Sequence, residues 1–176
     1  MQTQLVHLYD ARKYNGGAFA ELKLEQPSIL KAIQNKGVIS PTLANELSKS
    51  EWTSMKFNTS GKNLLVTTKK GLILMLDGFD GSVTNIFMSN GIDTAATSSS
   101  TTVPAAMDHS MSACFTPDEK TVLGGNEDGS ISCWDSKTGV LLRKLDGHVG
   151  RVGCLAANPK FAQIASACTN TAIWLW

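Results

Sequence analysis

From residue 111 to 147 the chain alternates short apolar runs with polar, turn-forming clusters. The runs are Ser112 to Thr116, Thr121 to Gly125, Ser130 to Trp134 and Val140 to Leu145. Between them stand Pro117-Asp118, Glu127-Asp128-Gly129 and Ser136-Lys137-Thr138-Gly139. Such clusters favour tight turns, and glycine supplies positive φ where a turn needs it. No 3.6-residue periodicity competes in these segments, so the pattern predicts four short antiparallel strands.

The same pattern recurs along the chain. A shift of 58 lays Phe57 to Lys62 on Phe115 to Lys120, and Leu76-Asp77 on Trp134-Asp135. A shift of 42 lays Val122-Leu123 on Ile164-Ala165, Ile131 on Ile173 and Trp134 on Trp176. A shift of 67 lays Val6 to Asp10 on Ile73 to Asp77. Four related units follow, the first lacking its beginning and the last its end. Four strands at a period near 42 are the mark of a β-propeller blade. The predicted fold is therefore all-β, with about three and a half blades of a presumed seven-blade ring.

The predicted organisation has six parts. Residues 1–25 end a blade, 51–87 and 111–147 form blades, and 148–176 form an incomplete last blade. Residues 26–50 are an insert in which Ser40-Pro41 before Thr42 to Lys49 predicts a short helix. Residues 88–110 are a second insert, in which seven of the nine residues from Thr94 to Thr102 are Ser or Thr. Such a tract buries too little apolar surface to offset its ordering entropy and is expected to be flexible. A seven-blade ring needs about 290 residues on this period, so Met1 is not expected to be the natural start of the working domain.

Composition narrows the function classes. The net charge is +1 and charged residues make up 18% of the chain, giving no footprint for direct nucleic-acid binding. Residues 1–70 carry ten Lys/Arg against five Asp/Glu, and residues 71–176 six against ten; this asymmetry is read as solvated charge. The longest aliphatic run, Leu72 to Leu76, is far short of the roughly 20 apolar residues of a membrane helix. Cys114, Cys133, Cys154 and Cys168 include no Cys-x-x-Cys, so a zinc site has little support and all four read as small buried hydrophobes. Asp108-His109-Ser110 is discounted as a triad, because adjacent residues do not build triad geometry. The Gly124 to Gly129 stretch lacks a following helix and the Lys-Ser/Thr of a phosphate loop. No catalytic residue, cofactor or metal is expected.

Gly147-His148, Trp134-Asp135 and Trp176 resemble the signature of WD-repeat propellers. That resemblance implies a buried quartet in each blade, which register assigns in the last unit to His148, Ser166, Asn170 and Trp176. Asn170 stands at the family's Asp, so this quartet should be weaker. The 111–147 unit keeps Asp128 and Trp134 but has Ala106 at the His position. The 51–87 unit has Lys70 and Leu76 at the Asp and Trp positions. Both blades are then expected to rest mainly on apolar packing. Asp10, Asp77, Asp128, Trp134 and Asp135 carry the repeat signature.

A narrower resemblance rests on Leu8-Tyr9-Asp10-Ala11-Arg12 with Gly17-Ala18-Phe19, on Glu51-Trp52-Thr53 with Lys56-Phe57, and on Asn158 to Phe161 with Ala165 to Asn170. Together these are similar to the C-terminal half of the small WD-repeat subunit of COMPASS-type histone-lysine methyltransferase complexes. The resemblance implies a nuclear, non-catalytic scaffold that joins protein subunits of a SET-domain methyltransferase complex. It also allows membership of a phosphatase or transcription-termination assembly. By the fold's convention Lys69, Lys70 and Arg151 share a rim and form a candidate surface for phosphorylated or acidic peptide. Asp10 and Arg12 resemble the box by which substrate receptors engage a cullin-type ubiquitin ligase; the plainer reading is that they order a turn.

Overall fold

The computed structural model describes residues 5–23, 29, 31, 50–69, 71–88 and 112–175. The predicted helix at 42–49 and the Ser/Thr-rich tract lie outside these residues.

The described residues form thirteen strands in four antiparallel sheets. β1 (Leu5–Leu8) pairs with β2 (Ala20–Lys23). Blade I is β3 (Trp52–Phe57), β4 (Asn63–Thr68), β5 (Leu72–Asp77) and β6 (Val83–Met88), hydrogen-bonded in chain order. Blade II is β7 (Ala113–Phe115), β8 (Thr121–Gly125), β9 (Ser130–Asp135) and β10 (Leu141–Asp146), again in chain order. Blade III is β11 (Cys154–Ala157), β12 (Gln163–Ala167) and β13 (Thr171–Leu175). β7 contacts β3 and β4 on one side and β11 on the other, so the blades stack through their first strands. This is the arrangement of a partial propeller.

Strand alternation explains the packing. On β5, Leu72, Leu74 and Leu76 face a cluster with Leu64, Val66, Ile86 and Ile29. Ile73 and Met75 face the opposite way, toward blade II. The aliphatic run is thus continuous because both faces of this sheet are buried, not because a helix or membrane requires it. The I–II interface joins Leu65, Ile73, Met75 and Phe87 to Ala113, Phe115, Val122 and Trp134. Trp134 is 3% exposed and stands 5.7 Å from the Phe87 ring, tilted by 45°. The II–III interface joins Cys114, Leu123, Ile131 and Cys133 to Val152, Leu155 and Ile164.

The close approach of blades I and II depends on Gly124. A Cβ there would lie 2.7 Å from Ile73 Cδ1 and 2.8 Å from the Trp134 ring. The Gly124 to Gly129 stretch is therefore a packing and turn element.

Apolar packing is supplemented by buried polar groups, more than the sequence predicts. In blade II, Asn126 Nδ2 donates to Ser130 Oγ at 2.7 Å and to Ser132 Oγ at 2.8 Å. In blade I, Thr68 Oγ1 donates to Leu72 O at 3.1 Å. Buried polar atoms need such partners, or their desolvation goes unrepaid.

The signature aspartates order turns. Asp10 Oδ1 accepts from Arg12 N at 2.9 Å. Asp77 Oδ1 accepts from Phe79 N at 2.7 Å. Asp135 Oδ1 accepts from Thr138 N at 2.7 Å and from Lys137 N at 3.1 Å. Asp128 Oδ1 accepts from the Ser130 hydroxyl at 2.6 Å and from Ser130 N at 2.9 Å. The Thr138 N–H holds the Asp135 carboxyl below its ordinary pKa, and the Ser130 hydroxyl does the same for Asp128.

One rim of the I–II joint is closed by Glu119. Its backbone sits at φ 61°, a left-handed value that side chains other than glycine rarely adopt. Its carboxylate accepts from Asn58 Nδ2 at 3.0 Å, from Ser60 Oγ at 3.0 Å and from Ser60 N. Asn85 Nδ2 adds a second bracket from blade I, donating to Ser136 O at 3.1 Å. Glu119→Ala is expected to lower stability by about 2 kcal/mol, the scale of hydrogen bonds to a charged group. Glu119→Gly should cost about 1 kcal/mol less, because glycine is unstrained at positive φ. Urea denaturation of the two variants beside the parent checks both.

Candidate functional site

The rim opposite Glu119 is built from the β8–β9 and β12–β13 turns and the loop 147–153 that leads into blade III. The loop is wedged between blades. Val152 N donates to Asn126 O at 3.0 Å, and Leu155 N donates to Ser112 Oγ at 3.0 Å. Gly129, at φ 88°, is held so closely that a Cβ would lie 2.1 Å from His148 O. This contact fixes the backbone of His148.

The His148 side chain then reaches blade III. Its Nε2 lies 2.6 Å from Ser166 Oγ, and Trp174 Nε1 donates to the same Oγ at 2.7 Å. His148 Nδ1 lies 3.2 Å from Cys168 Sγ. Asn170 contributes through its backbone, whose N–H donates to Cys168 Sγ at 3.3 Å.

Two of the assigned quartet positions are therefore corrected. Trp174 supplies the indole, while Trp176 lies outside the described residues. The two tryptophans stand two apart in the sequence, and a repeat shift alone does not choose between them. The partner at Nδ1 is the Cys168 thiol, where register places Asn170. Cys168 lies 42 residues after Asn126, the residue that organises the equivalent cluster in blade II. That alignment is the signal that could have found it.

The cysteines also divide. Cys114 and Cys133 are buried, and desolvation pushes both thiols up to about 11. Cys154 is exposed and Cys168 half-buried, so neither of these is the buried hydrophobe the sequence predicts. Both line a cleft of about 400 Å³ with Gly150, Arg151, Gly153, Ala167 and Thr169.

Of the proposed cationic surface, Lys69 is ion-paired with Glu51 and Lys70 lies outside the described residues. Arg151 lines the cleft, and its Nη1 is buried without a hydrogen-bond partner among the described residues. In the N-terminal unit, Arg12 Nε donates to Asp10 Oδ1 at 3.3 Å beside the backbone bond already described. This pair caps the 3₁₀ helix Ala11–Gly16, as the turn-ordering reading expects. No cluster of three or more metal-ligating side chains is found among the described residues.

The profile of the WD domain, G-beta repeat family matches residues 101–135 and 139–176. The chain is a WD-repeat protein. It is 30% identical over 176 residues to WD repeat-containing protein 82 of Drosophila melanogaster, covering 99% of this chain and 45% of that protein. It is 27% identical over 171 residues to COMPASS component SWD2 of Saccharomyces cerevisiae, covering 92% of this chain and 43% of that protein. The chain thus spans less than half the length of these curated relatives. The solved WD40 repeats of RRP9 superpose with a TM-score of 0.56 at 15% identity, over 72% of this chain and 36% of that one. That likeness supports the fold.

Ser166 is the hub of the rim, because it is 1% exposed and serves both the His148 ring and the Trp174 indole. Ser166→Ala should cost about 2 kcal/mol, since a buried donor is left unsatisfied. The Ser166→Ala/His148→Ala double variant should cost less than the two single changes added, because both break one network. A double-mutant cycle by chemical denaturation measures this coupling.

Proposed function

We propose that this WD-repeat protein is a non-catalytic scaffold subunit of a COMPASS-like histone-lysine methyltransferase complex, acting in the nucleus in chromatin and transcription regulation. The observation that carries the reading is the match across 92% of the chain to a named COMPASS component. The architecture supports it: stacked blades give rigid backing, and the turns between strands present side chains to partners. Catalysis then belongs to a SET-domain partner, and this chain supplies surface.

Within that reading, the rim bearing Arg151 is the proposed contact for an acidic or phosphorylated peptide. A guanidinium makes charge-assisted, two-pronged hydrogen bonds to such groups. Lys69 contributes less, because Glu51 already neutralises it.

Capture of the tagged chain from nuclear extract, with mass spectrometry of what accompanies it, tests the proposal. Enrichment of SET-domain methyltransferase subunits is expected. Their absence, with cullin-ligase adaptors enriched instead and lost on Arg12→Ala, would replace this reading with a substrate-receptor role.

A further inference from the structure

The two ends of the blade stack carry exposed apolar faces, and the repeat shows what each face is built to meet. On blade III, Ala156, Ala165 and Ile173 lie in one row across the sheet, with Leu175 beside them, and all four are exposed. No residue on this face of β11 to β13 is charged. The positions 42 earlier are Cys114, Leu123, Ile131 and Cys133, the residues of blade II that blade III covers. The outward face of blade III is therefore the same kind of face that blade II offers to the blade after it. Exposed apolar surface of this kind, free of charge, marks an interaction site.

Blade I is open on the complementary side. Met55 and Phe57 on β3 are 53% and 57% exposed. They stand opposite Val66 and Leu64, so they lie on the face turned away from blade II. The positions 58 later are Ala113 and Phe115, only 1% and 7% exposed because blade I covers them. In the I–II joint Ile73 shares a cluster with Ala113, and in the II–III joint Ile131 shares one with Leu155. Continued in the same register, Ile173 of blade III meets Met55 of a blade I. Within one chain blade II stands between these two faces, so they cannot meet each other.

The strands fit as the faces do. Blade III has three strands among the described residues, where blades I and II have four. The β1–β2 pair sits by the third and fourth strands of blade I, since a Cβ at Gly81 in the β5–β6 turn would lie 2.7 Å from Leu22 Cβ. The space beside β3, a first strand of the kind through which the blades stack, is left to Met55 and Phe57. A three-stranded blade seats there with β1–β2 beyond its last strand. β1 and β13 each have one edge that no described strand pairs, and such edges seek a partner.

We propose that this chain associates with a second copy of itself, head to tail, blade III of each copy seating on blade I of the other to close a two-fold ring. The two joints are identical and form together, as a two-fold axis requires. Length agrees: the chain covers 45% and 43% of two of its relatives, so two copies approach one relative in extent. The proposal uses the blade ends and not the rims, so it is independent of which complex the protein joins. The joint is reversible, and blade III still opens from the dissociated chain more readily than blade II.

The test measures the mass of the unmodified chain by size-exclusion chromatography with light scattering, at about 50 µM and on dilution. Twice 18.8 kDa is expected, falling toward 18.8 kDa as the chain is diluted. Ile173→Lys and Met55→Glu each put a charge into the joint and should weaken association at least about tenfold. Both positions are exposed in the single chain, so its circular dichroism should not change. Mixing the two variants should restore dimers, because a mixed pair keeps one unmodified joint and sets the new lysine against the new glutamate. An unmodified chain that stays monomeric would overturn the proposal, whatever the variants do. Association that Ile173→Lys abolishes and Met55→Glu spares would mean that like faces meet, and would overturn the head-to-tail joint. A mass beyond two copies would overturn the closed ring in favour of an open array.

Discussion

Everything in this structure depends on one constraint: a sheet with two apolar faces is stable only when both are covered. Blade II meets it fully. Val122 and Trp134 lie against blade I, while Leu123, Ile131 and Cys133 lie against blade III. Because β7 contacts both β3 and β11, the blades are fixed relative to one another through their first strands. The outward face of blade III shows the converse. Ile173 and Leu175 are 70% and 80% exposed there, while Leu155 and Ile164 on the opposite face are buried. Each blade draws its stability from its neighbours, as in other stacked repeats.

Polar joints at the two rims turn this stacking into a defined geometry. Apolar surfaces tolerate sliding, whereas hydrogen bonds specify position. The Glu119 carboxylate pins blade I to blade II on one rim, and the 147–153 loop pins blade II to blade III on the other. Lys56 spans the interior, its Nζ donating to Leu155 O at 2.6 Å across the stack from β3 to β11. The rim that carries His148, Cys168 and Arg151 is therefore held from two blades. A surface fixed this way presents side chains to a partner with little ordering cost.

Much of the fold is legible in the sequence, because the repeat makes every unit a test of the others. The four apolar runs between 112 and 145 emerge as β7 to β10, and Leu72 to Leu76 emerges as a strand buried on both faces. The site is less legible, for physical reasons. A repeat shift aligns sequence positions, yet Trp174 and Trp176 stand only two apart, and the shift alone does not say which indole meets Ser166. Cys168 is silent because thiols are usually apolar filler, and its distinction comes from donors brought by 147–153 and the next turn. Glu119 carries no local signal at all; its left-handed backbone is stabilised by a turn some sixty residues earlier in the chain. The neutralisation of Lys69 by Glu51 likewise arises only when β3 and β4 pair.

The central claim is that stability flows from blade-to-blade coverage, and residue-resolved amide hydrogen exchange on the full chain tests it most directly. Amides of β8 and β9, in a blade covered on both faces, are predicted to exchange slowly. Those of β12 and β13 should exchange faster, opening at lower free energy. Equal protection of blades II and III, or slower exchange in β12 and β13, would contradict the account.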